Sequence, residues 1–273
     1  MTEPDTDSRY QEALAVFDDA VLDGSRVSRA AADRQVNARR WFASVLFTRI
    51  CTTGMSLLCL VPRSRFAGKS IEHYDFGAVA SLARNIAECY FVFFYLCVDE
   101  FSDDEWYSRL NILHLHDCVS RLKMFRDFDP SNPRLPSFEQ QAEELRERLK
   151  QLPYFMALPE KQRKRFLKGD SALLLNQDQL LERLGVAVGP FRGMYRFISS
   201  HVHSFPLAFY LMGERDQGRG VESDWVKQSI ADALEFAESP LRRSTYDMLK
   251  LFPDIPAKAD NSSLQPPPLW RLG

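Results

Sequence analysis

At 273 residues the chain is long enough for one large domain or two small ones, and it can bury a core. With 45% hydrophobic and 26% charged residues, its composition excludes wholesale disorder and collagen-like or mucin-like architecture. A formal net charge of -2 argues against a protein coated in positive charge for non-specific nucleic-acid binding, while leaving room for a local basic patch.

In chain order, the first ten residues, MTEPDTDSRY, are acidic and lack an apolar run, so no signal peptide is expected. Helical periodicity then dominates, and strand-like alternation is scarce. The spacing predicts helices at about 8–22, 27–61, 76–101, 103–127, 137–152, 159–168, 176–184, 188–204 and 222–251. The run from Trp41 to Val61 imitates a membrane span in length. Arg49 near its middle and the interleaved Ser44, Thr48, Thr52, Thr53 and Ser56 instead point to a helix buried in a soluble bundle. The apolar run Ile86 to Val98 is too short to span a bilayer and carries Glu88.

Ser102 before Asp103, Asp104 and Glu105 marks a helix start, as does Ser223-Asp224 before Trp225. Pro62, Asp129 to Pro133, Pro153, Pro159 and Gly189-Pro190 are breaks. Residues 128–186 are more charged and more often interrupted than their neighbours. They read as a charged helical insertion at the periphery of a core formed by 1–127 and 187–252. Residues 253–273 form a Pro-rich tail. Its Pro266-Pro267-Pro268-Leu269-Trp270 reads either as a docking peptide for an aromatic groove or as a tail extended along its own domain.

The five cysteines are odd in number and form no Cys-x-x-Cys pair. They read as buried thiols in a reducing compartment, so the expected location is the cytoplasm, with no membrane association. Phosphate-loop, dinucleotide-binding and Gly-x-Ser-x-Gly motifs are absent, and no cofactor is expected. The pairs His114-Leu115-His116 and His201-Val202-His203 lie in helical patterns. Residues two apart then point to opposite faces, so neither pair alone chelates, and no metal is expected.

Two polar arrangements stand out. On the helix from Phe76, Ser81, Arg84, Asn85 and Glu88 are spaced three and four apart and form one stripe among apolar residues. If the stripe faces inward, Arg84 and Glu88 require partners; if it faces solvent, they form a weak pair. Around Tyr195, the residues Arg196, Ser199, Ser200 and His203 share a face at offsets of three, four and seven. An Arg and a His on one face can act on RNA without a metal: neutral imidazole takes the 2′-OH proton and guanidinium steadies charge on the phosphate. Finally, Lys161, Arg163, Lys164, Arg165 and Lys168 form a basic cluster, which reads either as a solvated helix face or as a phosphate-tracking, nucleic-acid-binding patch.

The spacing Arg, four to six residues, His resembles the motif of the HEPN superfamily of helical ribonucleases, although Phe197 follows Arg196 where that superfamily favours a polar residue. Over about residues 45–210, Asp75 through Glu88, the aromatic run to Tyr95-Leu96, the acidic turn with Arg109, and Tyr195 through His203 resemble a family of uncharacterised bacterial helical proteins with a HEPN-like core. That resemblance implies an all-α, HEPN-like multi-helix bundle, a homo-oligomer, and convergence of Arg84, Glu88, Arg109, Ser199 and His203 on one site. It supplies no activity; the specific activity suggested by the HEPN-like Arg-to-His spacing is metal-independent endoribonuclease of the toxin or phage-defence type. Arg196 would hold the phosphate, His203 would act as base or acid, and RNA would be the partner. The rival is a non-catalytic helical module that binds a protein or small ligand, with the same polar residues fixing helix register.

Overall fold

Gly24 looks like a break in the sequence, yet the first helix runs through it. A Cβ there would stand 3.1 Å from Cys51 Sγ and 3.3 Å from Thr245 Oγ1, so the missing side chain lets three helices approach closely. The expected gap at 23–26 therefore moves to 32–37, where the Asn37 side chain accepts from Arg40 N and caps the second helix.

The computed structural model describes residues 5–68, 72–203, 205–215, 219–257 and 265–270, with the side chains of 213–215 excepted. Among the described residues the protein is all-helical. The helices are α1 (Thr6–Ala31), α2 (Ala38–Leu60), α3 (Phe76–Phe93), α4 (Asp103–Phe128), α5 (Leu135–Gln151), α6 (Pro153–Ala157), α7 (Glu160–Leu167), α8 (Gln177–Arg183), α9 (Val188–Val202), α10 (Pro206–Arg215) and α11 (Asp224–Leu251). A π-helical turn, Phe94–Val98, ends α3, and the single described β-bridge joins Tyr74 to Gly220. Ser102 and Ser223 cap α4 and α11, as their sequence settings predict.

The chain divides into two compact units, residues 1–98 with 181–273 and residues 99–180, the second division falling within α8. The second unit begins one helix earlier than the charged insertion expected at 128–186. The reason is apolar packing: Ile112, Leu115, Cys118, Val119 and Leu122 of α4 share a core with Leu135, Ala142, Leu145 and Leu149 of α5, Phe155 of α6 and Phe166 of α7.

In the first unit α3 is central and packs on α2, α9 and α11, while α1 lies against α11 and α2. Its apolar residues Val79, Ala83, Ile86, Ala87, Tyr90 and Phe93 are all buried. By length and composition α2 and the segment Phe76–Val98 could cross a membrane; the second is mostly buried within the protein. α2 is not enclosed as its sequence suggested. It buries Ala43, Phe47, Ile50, Cys51, Gly54, Leu57 and Leu58 on one face, and turns Trp41, Val45, Thr48, Arg49, Thr52 and Ser56 outward. Most of the polar residues that interrupt the apolar run thus lie on its outer face, while Thr53 turns to Asn85 of α3.

The junction of α3 and α11 holds a buried acid. Tyr90 Oη donates to Asp247 Oδ2 at 3.1 Å, and Arg243 Nε stands 3.5 Å from Asp247 Oδ1. Burial pushes the Asp247 carboxyl up to about 6, against the opposing pull of Arg243 and Tyr90. Between about pH 4 and 6 the folded chain holds a proton that the unfolded chain releases. The contribution of Asp247 to stability is therefore fullest below that window and is lost as pH rises through it. Measured against Asp247→Asn, the wild type should lose up to about 3 kcal/mol of unfolding free energy between pH 4 and 7 in urea titrations. A difference independent of pH contradicts the assignment.

Candidate functional site

The stripe on α3 is half-buried at all four positions, Ser81, Arg84, Asn85 and Glu88. Ser81 Oγ returns to Gly77 O at 2.8 Å, and Asn85 Oδ1 accepts from Thr53 Oγ1 of α2 at 3.4 Å. The other two residues meet α9. Asp75 starts α3 by accepting from Ala78 N, which fixes the register that aims Arg84 and Glu88 at that neighbour.

Arg84 is the hub. Its Nε lies 2.8 Å from Glu88 Oε1 and 3.1 Å from Tyr195 Oη, and its Nη1 lies 2.9 Å from His203 Nε2. Tyr195 Oη donates to the same Glu88 oxygen at 2.5 Å, and the guanidinium sits over the Tyr195 ring at 5.1 Å. The Arg84 side chain is 21% exposed and that of Glu88 43%, so the cluster lies at the edge of solvent. Burial works against the Arg84 charge, but the hydrogen bond and charge of Glu88 outweigh it and hold its pKa above the ordinary value. Burial, then the bond to Glu88, raises the Tyr195 pKa and keeps its hydroxyl a donor.

This geometry fixes the state of His203. Guanidinium has only donors, so the Nε2 facing Arg84 must present its lone pair, and the ring proton of the neutral imidazole belongs on Nδ1. The residue itself is exposed, one position past the last residue of α9, with its backbone N–H bonded to Ser199 O at 3.2 Å. Its ring tilts against Phe205 at 5.4 Å.

The remaining α9 residues separate by role. Arg196 is exposed, and its carbonyl accepts from Ser200 Oγ. The arginine that contacts His203 is thus Arg84 from α3, rather than Arg196 from the same helix. Ser199 Oγ is buried without a hydrogen-bond partner among the described residues. His201 points elsewhere, into an aromatic box of Phe76, Phe197 and Trp225 with ring centroids 4.7, 5.1 and 6.0 Å away, and burial lowers its pKa. Phe197, where the motif favours a polar residue, is one wall of that box.

Arg109 belongs to the second unit. It is completely buried, with Nη2 2.8 Å from Asp99 Oδ2 and Nε 3.0 Å from Glu105 Oε1, and its guanidinium lies 4.9 Å from the centre of the Phe101 ring. Glu105 of the acidic turn that begins α4 and Asp99, just before that helix, supply its counter-charges. The basic cluster is also in this unit, on α7 and just beyond. Lys161, Lys164, Arg165 and Lys168 are exposed, Lys164 pairs with Glu160 at 2.6 Å, Arg165 covers the Phe166 ring, and Arg163 donates to Met156 O. His116 Nδ1 is engaged by Gly169 O at 2.8 Å, and His114 lines a separate cavity with Asp117, Gln141, Glu144 and Arg148. Among the described residues no group of three or more His, Cys, Asp and Glu is placed to hold a metal ion.

Two residues that the geometry makes central have no site role in the sequence reading. Tyr195 joins Arg84 to Glu88, and Trp270 packs behind it through Phe191. Tyr195 falls eight residues before His203, a signal that helical spacing could have given. Trp270 lies along its own domain, the second of the two readings of the Pro-rich tail, but nothing local points to its place behind Tyr195.

No curated protein and no solved structure is matched by the chain. A family model does match, over residues 40–219, which includes Arg84, Glu88, Tyr195 and His203. On that match, which covers well over half of its length, the chain belongs to a family of unknown function, DUF5677.

Proposed function

We propose that the protein is a HEPN-like, metal-independent endoribonuclease of the toxin or phage-defence type, working in the cytoplasm as a homo-oligomer. The observation that carries this reading is the exposed His203 imidazole whose Nε2 is fixed by the Arg84 guanidinium. A phosphodiester is a better acceptor for Arg84 than a neutral ring nitrogen is. Substrate phosphate drawing Arg84 to itself would leave the Nε2 lone pair free to accept the 2′-OH proton. The 2′-oxygen then attacks phosphorus, the P–O5′ bond breaks to leave a 2′,3′-cyclic phosphate, the departing 5′-oxygen takes a proton from water, the His203 imidazolium returns its proton to solvent, and Arg84 steadies the charge on the equatorial oxygens. Glu88 and Tyr195 hold Arg84 in place, and exposed Arg196 is available to a neighbouring phosphate. The basic face of α7 would add non-specific attraction to RNA.

A second reading, a non-catalytic helical module that binds a protein or small ligand, is favoured by the closure of the Arg84–Glu88–Tyr195 network, whose members bond one another across α3 and α9.

The two readings part on one assay. The purified protein should cut single-stranded RNA in EDTA, since imidazole and guanidinium supply the chemistry. His203→Ala and Arg84→Ala should each slow cleavage by about 10²-fold or more, while His201→Ala retains it. Absence of cleavage on several RNA substrates favours the module and overturns the enzyme, while full activity in His203→Ala overturns the role given to His203.

A further inference from the structure

The Pro-rich tail returns to the first unit and runs antiparallel to α11. Pro267 O accepts from Arg243 Nη1, Pro268 O accepts from Ser239 Oγ, and the Trp270 indole Nε1 donates to Phe236 O at 2.9 Å. The backbone N–H of Trp270 donates to Ser239 Oγ at 2.8 Å. Phe236 lies 16 positions before Phe252, about 24 Å along the helix axis, a return that the residues between Phe252 and Trp270 can readily span.

Trp270 is 5% exposed and sits among Phe191, Phe91, Phe236 and Tyr90, with ring centroids 4.7, 5.5, 5.6 and 6.4 Å away. Its φ of 41° is a left-handed conformation that a bulky residue adopts only when its surroundings impose it. It is also the one aromatic residue among 253–273.

The pocket lies directly behind the candidate site. Phe191, which touches Trp270 on one side, stacks on Tyr195 at 5.6 Å and 22° on the other. Tyr195 bonds Glu88 and Arg84, and Arg84 bonds His203. We propose that the C-terminal segment 266–270 is a clasp for this site, with Trp270 as a positioning residue. Seated, its indole holds Phe191 against Tyr195 and so fixes the hydroxyl that orients Arg84 toward His203. Released, it leaves α9 free to shift by its aromatic face and slackens the cluster. The inference rests on the Arg84–Glu88–Tyr195–His203 cluster being the functional centre, and on no particular reaction there.

The test uses the full chain and the side-chain NMR signals of Tyr195 and His203, which do not depend on cleavage. Trp270→Ala should shift and broaden both sets of signals, Trp270→Phe should largely restore them, and Ser239→Ala, which removes two hydrogen bonds to the clasp but leaves the aromatic pocket intact, should move them part of the way. Trp41→Ala, on the outer face of α2, should leave them unmoved. A folded Trp270→Ala with unchanged Tyr195 and His203 signals overturns the clasp. Should that variant fail to fold, Ser239→Ala decides by the same signals. If the signals shift but no variant or wild type cuts RNA, the clasp stands and the ribonuclease reading falls.

Discussion

A charge on the central helix of a bundle needs partners, and the arrangement of the candidate site follows from how Arg84 finds them. Its guanidinium can only donate, and of the polar residues that share its face of α3, Ser81 and Asn85 are taken up by Gly77 O and Thr53. Glu88, one turn on, supplies the charge, while Tyr195 of α9 and His203 just past its end supply further acceptors. The ion pair is made within α3, but one carboxylate does not satisfy all the donors. Arg84 thus draws α9 to a set position, and it leaves His203 at the solvent edge with a defined tautomer. Removing Arg84 would leave Glu88 and Tyr195 facing each other and would free Nε2.

Arg109 shows the other outcome of the same constraint. Fully buried in the second unit, it is matched by Asp99 and Glu105, and its guanidinium lies near an aromatic ring. Taking away one partner of such a pair typically costs about 3–5 kcal/mol, because the remaining charge stays buried. Arg84, by contrast, is partly open to water, where a pair contributes little to stability and a polyanion can compete for the guanidinium. The two arginines have similar local spacing to a glutamate, four residues away in each case, and only the depth of burial separates their roles.

Much of the fold is legible in the sequence because it is set locally. Ser102, Asp75 and Ser223 announce helix starts through their own side chains, and the polar stripe on α3 is visible from spacing alone. What escapes is set at a distance. Gly24 continues a helix because Cys51 and Thr245 crowd it, α4 joins the second unit because its apolar face matches α5, and α10 lies between the helices expected at 188–204 and 222–251, where the spacing predicts none. The stripe could be read as inward or outward until α9 was seen lying against it. Trp270 is the extreme case: a lone aromatic after three prolines gains its meaning from Phe91, Phe191 and Phe236, none of them near it in sequence.

The account turns on Arg84 donating to His203. The direct measurement is the ¹⁵N NMR of the His203 ring near neutral pH. Nδ1 should carry the proton and Nε2 should show the shift of an unprotonated, hydrogen-bonded nitrogen, and Arg84→Ala should abolish that preference. A proton on Nε2 in the wild type, or a tautomer indifferent to Arg84→Ala, would contradict it.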